Sequence, residues 1–160
     1  MADDKEKQDP RVDAARRRAW RLYDGVETPH RSCGIAIAET FERPTAAYQS
    51  LRKGGITGCG ECGAIVAGRL LLGELLGDPD PTGSVTPALR AAIDEFEALW
   101  RQRLDRGEVD GDGIVCNDLT GQFADFKGAD RHRFCTHLAA GVAEIVAEVA
   151  LRHGAKVPGA

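Results

Sequence analysis

A chain of 160 residues carrying 25 acidic and 21 basic side chains, for a net charge of −4, is long enough for one domain that buries about two-thirds of its unfolded surface without disulfide staples. That charge excludes the basic footprint of a nucleic-acid or anionic-membrane binder and leaves a soluble, mildly acidic protein as the expectation. Five cysteines, an odd number, argue against a fully paired disulfide framework and bring metal binding or redox chemistry forward, with small buried hydrophobes as the plain alternative.

The opening "MADDKEKQDPR" is charged and has no apolar stretch of the secretory kind, so residues 1–10 are expected to be a disordered tail and the protein cytoplasmic. From Pro10, "RVDAARRRAWRLYDG" predicts a helix stopped at Gly25, with Trp20, Leu22 and Tyr23 available for contacts and an arginine cluster on the wet side. Ser32 is placed to cap a second helix, "CGIAIAETFE", which ends before Pro44, and "TAAYQSLRKGG" gives a short third one with a Gly-Gly stop. Cys33 then occupies the first turn of the second helix.

A fourth helix is expected from about Cys62 to Leu76, small or apolar at almost every position and therefore buried on most sides. Gly68 and Gly73 each cost about 1 kcal/mol against alanine in a helix interior, a cost that a close neighbouring backbone along the Ala64, Ala67 and Gly68 face would justify. The apolar run here is interrupted by Arg69 and Glu74 and falls short of the roughly 20 residues a bilayer requires, so no membrane helix is expected. Residues 78–87 read as a loop. Thr86 and Pro87 then open a long amphipathic helix with a stripe of Leu89, Ile93, Phe96, Leu99, Trp100 and Leu104.

"EVDGDGIVCNDL" has the local spacing of a calcium loop at Asp110, Asp112 and Gly113, but the closing bidentate Glu is Leu119, so a solvated turn is expected. Cys116 opens a short segment, "CNDLTGQF", compatible with a helical turn. A last helix covers roughly His132 to Arg152, with Gly154 at its stop. Strand signals are nearly absent. The expected architecture is all-α, a single helical-bundle domain of about five to six helices over 11–155, followed by a disordered tail at 156–160.

On this map Cys33, Cys62, Cys116 and Cys135 fall at or near helix starts, where free backbone N–H groups and partial positive charge favour thiolate, the form that binds metals and attacks disulfides. The pattern resembles the redox-active C-GCAxxG-C-C family, through Cys33 in "RSCGIAIAETF", Cys62 in "GECGAIVAG", Cys116 in "VCNDLTGQF" and Cys135 in "FCTHLAAGVAEIVAEV", over about residues 12–152. The resemblance implies a small helical protein, related to modules that accompany haem and iron–sulfur centres in electron-transfer proteins. Two departures stand out: the motif glycine position is Ala67, with Gly68 beside it, and Cys59 is additional to the four-cysteine pattern.

Four widely spaced cysteines suit a cluster sealed between helices, so the expected function is a redox-active, metal-binding protein holding an iron–sulfur cluster for electron transfer or sulfur chemistry. Structural zinc, which usually takes two close ligand pairs, is an alternative with only one close pair to draw on. A second alternative is thiol–disulfide exchange by Cys59 and Cys62, opposed by Glu61 between them and by the lack of a βαβ pattern. The third is a cofactor-free helical interaction protein. His132 and His137 flank Cys135 as candidate ligands or proton carriers, with surface positions the plainer reading, and Asp118 stands near Cys116 as a tuning group or a cap. A redox partner protein and a symmetric homodimer formed through an apolar helix face are the partner expectations.

Overall fold

The computed structural model describes residues 7–159. The expected tail at 1–6 and residue 160 lie outside the described residues. Six α-helices and one 3-10 helix are described, and no strand: α1 (Pro10–Asp24), α2 (Cys33–Thr40), the 3-10 helix Ala46–Leu51, α3 (Gly63–Leu76), α4 (Pro87–Arg103), α5 (Cys116–Thr120) and α6 (Ala129–Arg152). The all-α class is therefore the observed one.

Local chemistry sets most of the helix ends. Asp9 accepts from the Arg11 backbone N–H at 2.9 Å, Pro10 follows in the first turn, and Gly25 closes α1 at φ 75°, a left-handed position that suits glycine. Thr86 serves two helices at once. Its hydroxyl donates to the Leu76 carbonyl at the end of α3 (2.6 Å) and accepts from Leu89 N–H at the start of α4 (3.1 Å), satisfying an orphan group on each side of the loop. The third helix forms as a 3-10 element, with Tyr48 its buried residue.

Helix α6 is the axis of the bundle. It packs against α1, α2, α3 and α4, and its Leu138, Val142, Ile145, Val146 and Val149 are all buried. By length and hydropathy α6 could cross a membrane, yet 67% of its apolar window is buried inside the protein, the position of a core helix. Helix α3 approaches it closely because Gly68 has no side chain: a Cβ there would stand 2.6 Å from Phe96 Cζ and 3.2 Å from Val142 Cγ1. The expected close face of α3 is present at Gly68, but side chains rather than a neighbouring backbone fill it, and Gly73 has nothing within 4 Å, so its helix cost is not offset by a contact.

On α4, Phe96 and Trp100 are fully buried, and Leu89, Ile93, Leu99 and Leu104 pack partly buried around them. In the acidic turn after α4, Asp112 is held by Arg101 (3.2 Å) and Arg106 (3.8 Å), so its charge is answered by arginine. After α6 the helix is stopped at Gly154, φ 86°. The last residues, expected as a tail, return to the core at Val157, which is buried at 8% exposure.

Candidate functional site

Four helices deliver one cysteine each to a common cavity. Cys33 is the first residue of α2, Cys62 is the N-cap of α3, Cys116 is the first residue of α5 and Cys135 lies in the second turn of α6. All four line one cavity of about 190 Å³, although they are spread over a hundred positions of sequence. Cys59 is exposed and is not among the lining residues.

Backbone pairing brings two of the four together. The segment before α3 lies antiparallel to the segment before α5, joined by Cys62 N–H to Ile114 O (2.7 Å), Cys116 N–H to Gly60 O (2.9 Å) and Asn117 N–H to Gly58 O (2.9 Å). Glycines make the approach sterically feasible. A Cβ on Gly54 would sit 2.4 Å from Cys116 Cβ and 2.7 Å from Gly60 O, and one on Gly63 would sit 2.9 Å from Cys33 Sγ. Gly54 itself is at φ 59°, within a loop in which Lys53 (50°), Gly55 (73°), Ile56 (72°) and Gly58 (78°) are also left-handed. For Ile56, a β-branched residue, that conformation is a genuine outlier.

Burial reverses the expected thiol electrostatics. Desolvation pushes Cys33 well above the ordinary thiol range, outweighing the Gly34 backbone N–H that favours its thiolate. Cys62 is likewise pushed up by burial, to about 11, against the N–H groups of Ile65 and Ala64. Cys116 is raised by desolvation and by Cys135, with Thr120, Lys53 and Arg131 acting in the opposite sense. The helix-start argument therefore identified real N–H donors but misjudged the balance, because removing a thiolate from water costs more than one helix end returns. Cys135 is nearly two turns inside α6, beyond the range of its N-terminal charge.

The remaining sequence candidates separate from the cavity. His132 hydrogen-bonds the Asp24 carbonyl at 2.9 Å and stacks on Tyr23, with ring centroids 5.3 Å apart. His137 is exposed, edge-on to Trp20 at 4.7 Å. Asp118 is exposed, and none of the three lines the cavity. Ser32 holds the N-cap position of α2 without making a side-chain capping bond. Its hydroxyl oxygen is buried without a partner on the cavity wall.

Sequence reasoning missed His30, Arg52, Lys53 and Arg131, which also line the cavity. His30 and Arg131 lie three and four residues before a motif cysteine, close enough to have drawn attention. Arg52 and Lys53 carried no signal, since the loop that brings them in depends on its run of left-handed residues.

The donor set consists of four thiols around a space that holds several water-sized groups. Among the described residues, no three His, Cys, Asp or Glu side chains are grouped closely enough to hold a single metal ion. A family model described as "Putative redox-active protein (C_GCAxxG_C_C)" matches residues 25–149. No curated protein and no solved structure matches the chain.

Proposed function

The chain belongs to this C_GCAxxG_C_C family of redox-active proteins, and from that premise we propose that Cys33, Cys62, Cys116 and Cys135 hold an iron–sulfur cluster used in electron transfer or sulfur chemistry. The observation that carries the reading is the shared cavity: four thiols from four helices line it, while the fifth, Cys59, is exposed. Four thiolates are the usual ligand set of such a cluster, which supplies one-electron transfer when bound.

The chain's own groups prepare that set. The N–H groups of Gly34, Ala64 and Ile65 point at the sulfurs of Cys33 and Cys62. Donors of this kind stabilise anionic sulfur and tune the potential of whatever it ligates. Leu119 and Leu138 line the same space and limit water. Because burial raises Cys33, Cys62 and Cys116, loading the site releases protons and is favoured by higher pH.

The Cys59/Cys62 dithiol has less support, since Cys59 is exposed on the turn outside the cavity and Cys62 is buried within it. Zinc has less support from the sequence, which offers one close cysteine pair where a structural zinc site usually takes two.

Iron and acid-labile sulfide analysis of anaerobically purified protein, with its visible spectrum, tests the proposal. Brown protein with matched iron and sulfide is expected, with both lost on Cys→Ser substitution at 33, 62, 116 or 135 and retained in Cys59→Ser and His153→Ala. Colourless protein without iron or sulfide after anaerobic reconstitution overturns it.

A further inference from the structure

Three cations stand on the wall of the cysteine cavity without an acid to answer them. Arg52, Lys53 and Arg131 line the cavity, and no Asp or Glu does, in a chain where acids outnumber bases 25 to 21. Among the described residues, none of the three takes part in a salt bridge. Elsewhere arginines are paired as a rule, as Arg69 is with both Glu61 and Glu97.

The cations are held in place. Phe126 carries the Arg131 guanidinium 4.4 Å from its ring centroid and the Lys53 ammonium at 5.0 Å. Arg131 also donates through Nη1 to Tyr23 OH at 2.9 Å and through Nε to the Phe126 carbonyl, which fixes the guanidinium plane beside the Cys135 sulfur. On the same cavity, the buried Ser32 hydroxyl lacks a hydrogen-bond partner.

These groups share one chemistry. Positive charge unanswered by a carboxylate, a planar guanidinium fork and an orphan hydroxyl together recognise an oxyanion. A cavity of about 190 Å³ is smaller than the roughly 300–1,000 Å³ that drug-sized ligands occupy, so a nucleotide is excluded on size and a compact anion fits.

We propose that the cysteine cavity contains a binding site for a small oxyanion, held by Arg131, Lys53 and Arg52 with Ser32 Oγ as a further donor, directly beside the four thiols. Its role rests on the redox reading, under which the oxyanion is the substrate brought to the centre. Binding itself does not require the cluster.

Calorimetric titration of sulfate and nitrate into reduced, metal-free, full-length protein, at ionic strength held constant with chloride, tests the site. One saturable equivalent is expected for at least one of the two anions. The exposed pair Arg52→Gln/Lys53→Gln, which leaves the core untouched, weakens it at least tenfold. Arg131→Lys, which keeps the charge but loses the fork, weakens it several-fold, and the remote Arg90→Gln changes it less than twofold. Absence of saturable uptake of either anion, or equal weakening by Arg90→Gln and by the Arg52/Lys53 pair, overturns the proposal. Wild type that carries iron and sulfide but takes up neither anion when metal-free overturns the anion site alone and assigns the cations to the cluster. Wild type that binds the anion but never acquires iron or sulfide overturns the cluster reading and leaves the anion site standing.

Discussion

The interior around α6 and the loop clamp that carries Cys62 and Cys116 are held together by different physics. Around α6, buried side chains such as Phe96, Trp100, Val142 and Val146 interlock, and cohesion scales with apolar area removed from water. In the clamp, Ile114 and Leu119 are buried, but the segments are joined chiefly through backbone. Three backbone hydrogen bonds, left-handed residues at 53–56 and 58, and glycines pressed against neighbouring atoms do the holding. A core built on area tolerates changes of shape at roughly constant volume, whereas a clamp built on close backbone approach tolerates no added atom. The molecule thus separates what makes the bundle from what makes the site.

The largest expected effect breaks the first region. Phe96→Ala removes a fully buried ring beside Gly68 and should lower stability by about 3–5 kcal/mol, read from urea unfolding. Thiol reactivity in the absence of urea should stay close to that of wild type as long as the variant remains folded.

Gly54→Ala attacks the second region. The new Cβ meets Cys116 Cβ and Gly60 O at 2.4 and 2.7 Å on a left-handed backbone, so a loss of about 3 kcal/mol is expected from clash and strain together. Here the reactivity of Cys62 and Cys116 toward a thiol reagent should rise well before global unfolding. If instead both variants expose the thiols only on global unfolding, the two regions are one cooperative unit and the distinction fails.

How much of this was legible in the sequence follows the same division. The helix starts at Pro10 and at Thr86-Pro87 were readable because the signal is local. So was the burial of α3 and α6, and the four-cysteine pattern pointed to the residues that line one cavity. The cation set was not readable, because Arg52 and Lys53 reach the cavity through a run of positive φ angles that includes a lysine and an isoleucine, residue types that do not announce such a conformation. The direction of the thiol shifts was misjudged for a related reason. Helix position is local and visible, whereas burial is a tertiary sum.

Alkaline pH should sharpen the contrast further. Cys62 is raised by burial to about 11, above the roughly 8.5 of an unfolded thiol, so the folded metal-free chain binds its proton more tightly than the unfolded one. Stability from this group is full below about pH 8.5 and is lost as pH rises toward about 11, at about 1.4 kcal/mol per pH unit within that window. Urea midpoints of reduced, metal-free protein at pH 7, 9 and 10.5 should fall in that order, and Cys62→Ala should flatten the slope. An unchanged slope in Cys62→Ala assigns the alkaline loss to other groups.

The smallest effect is a gain. Ile56 is 61% exposed at φ 72°, so Ile56→Gly removes left-handed strain with little loss of burial. Stability should rise by about 1 kcal/mol, the strain relief exceeding the added freedom of the unfolded chain. A fall in the urea midpoint would show that the isoleucine side chain contributes more than its exposure suggests.

The three hydrogen bonds between the segments preceding α3 and α5 join positions more than fifty residues apart, and this sets an order of assembly. Helices form from local contacts, while a pairing of such sequence separation must first overcome the entropy of closing a long loop. Local helix structure should therefore form before the four cysteines meet. During that interval the chain presents its thiols separately, reduced and open to oxidation, and whatever fills the cavity has to arrive before or during the final closure of the clamp. Amide hydrogens of Cys62, Cys116 and Asn117 then report on that last step, exchanging through a local opening that leaves the protons of α6 protected.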